Sequence, residues 1–138
     1  MRGLILAIML VSLPAMAPTC QQSSREEGES RMIVSDIPCR QVWDKMQQEL
    51  KRLEIPVAGA NPDEGWIDTA PFQRDPLPGD PYVRVEEQYH IEMRCRDPLT
   101  TRISGRPQVL GIKADRSRAV VNDVWPYWER FLGSLKIK

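Results

Sequence analysis

The sequence SDIPCRQVWDKMQQELKRLEIPVAGANPDEGWIDT, residues 35–69, decides the fold, because a helical pattern runs directly into an extended one. Apolar side chains recur there at three- and four-residue steps, as on one face of an α-helix: Cys39, Val42, Trp43, Met46, Leu50 and Leu53. Ser35 or Asp36 is expected to cap the helix, and Pro56 to end it near residue 53. The pattern predicts a helix that anchors the core through Trp43.

Extended segments are predicted on both sides of this helix. Residues 32–34 predict an opening strand, and residues 55–58 and 66–69 predict two more around a turn rich in glycine, asparagine and proline. Residues 71–81 contain four prolines, which exclude them from a sheet interior and predict a stiff loop.

Residues 82–96 give the clearest strand pattern. Charged and polar side chains alternate with odd-numbered, mostly apolar ones: Val83, Val85, Tyr89, Ile91, Met93 and Cys95. One face is therefore expected to meet the core and the other to meet water. Glu87 breaks the apolar series, so either the strand leaves the core there or Glu87 lines a cavity between helix and sheet.

The last third of the chain predicts a returning strand and a second helix. Residues 99–105 are expected to pair with the long strand until Pro107 interrupts or ends the pairing, and residues 109–112 are the candidate extension beyond a bulge. Apolar residues then follow helical steps: Val124, Trp125, Trp128, Phe131, Leu132 and Leu135. Asn122 or Asp123 is the expected cap, and Pro126 lies in the first turn or kinks an earlier-starting helix. The order of elements predicts an α+β, two-layer sandwich, an antiparallel sheet with two helices packed on one face.

The N-terminal residues have the composition of an export signal. A positive Arg2 precedes an apolar run of about ten residues, which is too short to cross a membrane and typical of a secretory leader. Cleavage after residues 15–17 (AMA) competes with processing at Cys20, which would then carry lipid. The predicted organisation is a signal peptide at 1–19, a polar tether at 20–30 and a single domain at 31–138.

The three cysteines support an exported protein. Cys20 follows the leader and precedes a polar segment, as in bacterial lipoproteins, and Gln21 after it favours the outer membrane, at its periplasmic face. A soluble periplasmic or secreted protein is the alternative, and a leader that stays uncleaved as a membrane anchor is the third. Cys39 and Cys95 are both predicted to face the core, so they form either a disulfide or two buried thiols.

Several core positions resemble a known family. They are Val42-Trp43, Leu50, Ile55, Val57, Gly65-x-Ile67-x-Thr69 and the alternating strand from Tyr82. Residues 32–135 are similar to the repeated helix-grip domain of the BamC family, lipoprotein accessories of the outer-membrane β-barrel assembly machinery. By this resemblance the chain would supply one such domain where the family has two, after a shorter tether. The resemblance implies a helix-grip fold, an envelope location and an envelope protein complex as partner.

Composition argues against several function classes. The 19 basic and 19 acidic residues balance and are interleaved, so no nucleic-acid partner is indicated. The single histidine, His90, is predicted on the solvent face of its strand, without the neighbours of a metal site or catalytic pair. No phosphate-binding or dinucleotide motif is present. We therefore expect no enzyme activity, no metal and no cofactor.

Two functions remain from the sequence. The first is a lipid-anchored interaction or scaffold module, with candidate partner contacts at Phe72, Leu77, Arg84, His90 and Arg94. The second is a carrier that holds a small apolar ligand between helix and sheet. The residues expected to line such a cavity are Tyr89, Met93, Trp125 and Trp128.

Overall fold

The computed structural model describes residues 31–137. The signal peptide, the polar tether and the lipid site at Cys20 were predicted for residues that lie outside this range. Of the predicted domain, all but the last residue is described.

The described residues form two helices and seven strands. The helices are α1 (Cys39–Arg52) and α2 (Trp125–Ser134). The strands are β1 (Met32–Ser35), β2 (Val57–Asn61), β3 (Trp66–Thr69), β4 (Phe72–Arg74), β5 (Arg84–Asp97), β6 (Thr100–Ile112) and β7 (Arg118–Val120).

All strand pairs are antiparallel and belong to one sheet. The order is β1-β6-β5-β3-β2, with β4 paired to β5 and β7 paired to β6 further along the same strands. The fold is α+β, as the sequence predicted, and it is consistent with a two-layer sandwich. The hairpin of β5 and β6 is the centre of the sheet, because every other strand except β2 pairs with one of its two edges.

The core lies between the two helices and the odd-numbered face of the sheet. Val42, Met46 and Leu50 of α1 join Trp128 and Phe131 of α2 in one buried cluster with residues from β3, β5 and β6. Trp128 has no solvent exposure, whereas Trp43 is only half-buried at the margin of the cluster. The prediction that Trp43 anchors the core was therefore wrong, and Trp128 has that role.

Trp128 can take this position because the residue of β6 beneath its ring is a glycine. A Cβ atom at Gly105 of β6 would collide with the Trp128 indole ring. The indole ring thus lies directly on the backbone of β6, which needs a residue without a side chain at that place.

The predicted helix caps differ from those observed. Ser35 belongs to β1, and Asp36 adopts a left-handed conformation (φ 65°) in which its amide N–H bonds the carbonyl of Leu99. Pro38 is the N-cap of α1 and makes no side-chain cap bond. Val124 occupies the cap position of α2, which places Pro126 in the first turn, one of the two alternatives left open by the sequence.

Two segments beside or containing prolines pair more regularly than the sequence predicted. Phe72–Arg74 pairs with β5 as a short strand at the start of the predicted loop. β6 continues through Pro107, which pairs with Tyr89. The amide of Tyr89 donates to Thr69 Oγ1 on the opposite side of β5 (2.9 Å), so the nitrogen of Pro107 faces the outer edge of β6 and no bond of the β5–β6 ladder is lost.

The long strand is buried over a shorter span than predicted. Val83 precedes β5 and is 54% exposed, and Cys95 is exposed near the other end. Cys95 is joined to Cys39 by a disulfide with a Cα–Cα distance of 5.9 Å. The bridge therefore fastens the first residue of α1 to the rim of the sheet and not to the core.

Candidate functional site

One face of the sheet carries no helix and presents mainly polar side chains. We call it the helix-free face. It consists of the even-numbered residues of β5, their partners on β6 and the neighbouring residues of β1 and β3. Along β5 these residues are Arg84, Glu86, Gln88, His90, Glu92 and Arg94. Such a face is available for contact because neither helix covers it.

Three arginines converge at one end of the helix-free face. Arg94 of β5 and Arg102 of β6 are directly opposed, and Arg106 lies four residues further along β6 on the same face. With Ser104 and Glu92 between them, they line a cleft of about 230 Å³. We call Arg94, Arg102 and Arg106 the arginine strip.

The arginine strip has few acidic partners. Arg94 approaches Glu92 at 3.7 Å, an ion pair with a largely exposed arginine. Among residues 31–137, no carboxylate lies within ion-pair distance of Arg102 or Arg106. The Nε atom of Arg102 is buried without a hydrogen-bond partner. The strip therefore carries more positive charge than its surroundings neutralise.

His90 lies beside the strip in a polar cluster of its own. Its Nδ1 contacts the Asp68 carboxylate and its Nε2 lies 3.3 Å from Glu92 Oε1, with the Trp66 ring 6.0 Å away. Asp68, His90 and Arg106 also line a second cleft of about 290 Å³. His90 is half-buried on the face predicted for it, between two carboxylates.

The other predicted contact residues have different environments. Arg84 is on the helix-free face and bonds Asp75 at 2.6 Å. Phe72 packs against the Tyr89 ring at a centroid distance of 5.9 Å, and Leu77 packs against a second buried cluster. Of the five predicted contact residues, Arg84, His90 and Arg94 are thus on the helix-free face. Phe72 and Leu77 pack on the core side.

The four predicted cavity residues do not enclose a common space. Tyr89 and Trp128 are fully buried, with ring centroids 5.4 Å apart, and Tyr89 stacks on Phe131 at 4.6 Å. Trp125 is half-buried at the edge of the same cluster. These rings fill the space between α2 and the sheet.

Met93 lies instead beside a different cleft, at the disulfide end of the molecule. This cleft of about 550 Å³ is formed by the start of α1, the turn after β2 and the rim of the sheet. Its apolar walls are Trp43, Met93, Pro62 and the Cys39–Cys95 bridge. Its volume is in the range of small-molecule sites, which are about 300–1,000 Å³.

A buried carboxylate lies under the segment that follows β4. Glu87 has no solvent exposure and accepts a hydrogen bond from the Tyr89 hydroxyl. Arg130 Nη2 lies 3.3 Å from it and Arg74 Nε 3.8 Å from it. Glu87 thus neither leaves the core nor lines one of the clefts described above; it is held in an ionic network between β4, β5 and α2.

A second tyrosine extends this network to the loop. The Tyr127 hydroxyl donates to Asp80 and accepts from the amide of Leu77 at 3.2 Å. Burial raises the pKa of Tyr127 to about 12, and burial next to Glu87 raises the pKa of Tyr89 further. Both phenols stay protonated at neutral pH and can therefore donate to Glu87 and Asp80. Through Tyr127 the network holds the loop around Leu77 and Asp80 on α2.

Arg102, Ser104 and Arg106 were not nominated from the sequence, although a signal for them exists. They alternate on β6, and Arg102 and Ser104 lie within the predicted strand 99–105, with only Arg106 beyond it. What the sequence did not supply is the register that opposes Arg102 to Arg94 and Arg106 to His90.

Neither helix is long and apolar enough to cross a bilayer, within the part of the chain that the structure describes. In the same residues, histidine, cysteine and acidic side chains do not gather in groups of three that could hold a metal ion. Neither a protein-family model nor a curated protein sequence matches the chain.

Proposed function

We propose that the chain is a lipid-anchored envelope protein that acts without catalysis as an interaction module at the periplasmic face of the outer membrane. The observation that carries this proposal is the helix-free face with its incompletely neutralised arginine strip. Charged side chains on a sheet face that no helix covers are suited to pair with opposite charges on the surface of a partner. The resemblance to BamC makes the barrel assembly machinery the first partner to test.

Two features support the proposed location. The Cys39–Cys95 disulfide is of a kind that persists in oxidising compartments such as the periplasm. The leader, Cys20 and the polar residues after it have the layout of a lipoprotein. Lipid at Cys20 would place the domain within a short tether of the membrane.

The location is tested by replacing the proposed lipid site. Cys20→Ser is expected to move the protein from the membrane fraction to the soluble periplasmic fraction, because the domain would lose its anchor. Ser23→Ala in the same segment is the matched control and should stay with the membrane. Intact mass of the membrane-purified protein should show the added lipid; attachment unchanged by Cys20→Ser contradicts the anchor.

The interaction is tested by crosslinking in native membranes followed by purification of the full chain. We expect a specific envelope protein to be recovered with the wild type and to be reduced with Cys20→Ser, which removes the chain from the membrane surface. Recovery of no barrel-assembly component would reject that partner. Recovery of no envelope protein would reject the interaction module.

A second candidate function is a carrier of a small apolar ligand, and the cleft beside the disulfide favours it. Trp43 and Met93 provide the apolar walls that such a ligand needs. Native mass spectrometry of the purified protein should then show a bound compound that Trp43→Ala releases. An interaction module predicts no such compound.

A further inference from the structure

We propose that the arginine strip binds an extended acidic segment of a partner protein, with acidic side chains at alternate positions. This inference rests on the proposed function and specifies the chemistry of the partner. It follows from the charge, the spacing and the surroundings of Arg94, Arg102 and Arg106 on the helix-free face.

The charge of the strip favours an anionic occupant. Arg94 and Arg102 are directly opposed across two antiparallel strands, an arrangement in which like charges destabilise the sheet. Among residues 31–137, Glu92 is the one acidic group that lines this cleft, and it already contacts Arg94 and His90. A bound carboxylate would offset the repulsion, and the planar guanidinium groups match its two oxygens.

The spacing of the strip favours an extended peptide. On β6, Ser104 lies midway between the two strip residues Arg102 and Arg106, about 7 Å from each along the strand, so the two arginines are about 13 Å apart. An extended segment has the same repeat between residues on one of its faces. Acidic side chains at alternate positions can therefore meet both arginines, while the Ser104 hydroxyl between them can donate to a third.

The surroundings favour a protein segment over a densely anionic surface. Asp68 and Glu92 line clefts together with arginines of the strip on the helix-free face and would repel a layer of lipid phosphates or a nucleic acid. Ile33 is directly opposite Arg102 and is 42% exposed, which offers an apolar contact to a neighbouring side chain of the segment. A short peptide can place its acids between these groups.

The test measures fluorescence anisotropy of labelled peptides with the full-length, membrane-purified protein. The probe is a peptide of about nine residues with glutamate at every second position and leucine or threonine between, long enough to span the strip. The control peptide has the same composition with its glutamates grouped together. The first should bind more tightly, because only it presents its acids on one face.

Charge-reversal variants locate the site. Arg102→Glu with Arg106→Glu is expected to weaken peptide binding by about tenfold or more. Arg40→Glu with Arg116→Glu changes the net charge equally at exposed positions away from the strip, and should change binding by less than about threefold. The reversal at Arg102 removes a like-charge pair, so the variant is expected to remain folded.

Three results would overturn this inference: equal weakening by both double variants, equal affinity for both peptides, or binding of phosphatidylglycerol vesicles through the strip with no peptide binding. Failure of the proposed function would look different. In that case no envelope protein would be captured from membranes, whatever the purified protein does with the peptide.

Discussion

At the scale of single residues, Glu87 shows how an apolar pattern can hide a structural ionic network. Its neighbours at alternate positions of β5 are apolar and buried, and Glu87 is buried with them. The carboxylate is tolerated there because Tyr89 donates to it and Arg130 and Arg74 lie near it. The arginines reach it from α2 and β4, so the network joins three elements.

Glu87→Gln is expected to lower the free energy of unfolding by about 2–4 kcal/mol, because two partly buried guanidinium groups lose their counter-charge. Glu86→Gln is the matched control: Glu86 faces the other side of β5 and pairs with Arg118 at 3.2 Å on the surface, so we expect less than about 1 kcal/mol. Urea unfolding at neutral pH measures both. Equal losses would contradict the network.

Gly65 is a second residue whose identity is required by its neighbours. Its φ is 75°, and a Cβ atom there would collide with the backbone carbonyl of Met93. Gly65→Ala is therefore expected to cost about 2–4 kcal/mol in unfolding free energy, through strain and collision together. Gly79→Ala is the control that measures backbone strain alone, since φ is 90° but no atom lies within 4 Å of an added Cβ. It should lower the free energy of unfolding by about 1 kcal/mol.

At the scale of elements, the disulfide is the covalent link between α1 and the sheet. Its cysteines are 56 residues apart in the sequence, so the bridge restricts a long loop of the unfolded chain. Reduction is expected to lower the free energy of unfolding by about 4 kcal/mol. Urea unfolding with and without dithiothreitol measures it, and the Cys39→Ser, Cys95→Ser double variant should no longer respond to the reductant.

Most elements could be predicted from the sequence because their apolar periodicity is regular. Both helices and the long strand of the hairpin lie close to the predicted residues. The short strand β4 was missed because it lies inside a proline-rich segment, although Phe72–Arg74 itself contains no proline. The course of β6 through Pro107 could not be predicted, because a proline is excluded only where its nitrogen faces a partner strand. Which way that nitrogen points depends on the register with Tyr89, a tertiary property.

The candidate site was harder to predict than the fold. His90 and Arg94 follow from the alternation of β5 alone, and both are on the helix-free face. Arg102 and Arg106 acquire their significance only when β6 is paired with β5, which opposes one arginine to another. Likewise, Tyr89 and Trp128 have the composition of a cavity wall, and only their packing shows that the rings contact each other.

At the scale of the whole molecule, Glu49 joins α1 to the last described residues. It accepts hydrogen bonds from Arg52 (2.8 Å) and from the amide of Lys136, and Arg52 also donates to the Ser134 carbonyl (2.8 Å). Leu135 and Ile137 on either side of Lys136 are buried in the main core. The C-terminal segment is therefore held by both apolar and ionic contacts.

This junction predicts an acid-sensitive part of the stability. The hydrogen bond from Arg52 lowers the pKa of Glu49 from 4.5 to about 2. Because the folded-state pKa is the lower one, the contribution is complete above about pH 4.5 and is lost as pH falls toward 2. Glu49→Gln should flatten the fall in unfolding free energy over this window, measured by urea titrations at several pH values. A slope equal to that of the wild type would contradict the assignment.

Pro107 affects how neighbouring copies of the protein can pair through the open edge of β6. Among the described residues, positions 104–108 of β6 have no strand on their outer side, between β1 and β7. An open edge of this kind can recruit a strand from a neighbouring copy and seed aggregation. The ring nitrogen of Pro107, which cannot donate a hydrogen bond, interrupts such pairing inside this gap. Neighbouring copies at high local concentration are therefore hindered from joining edge to edge.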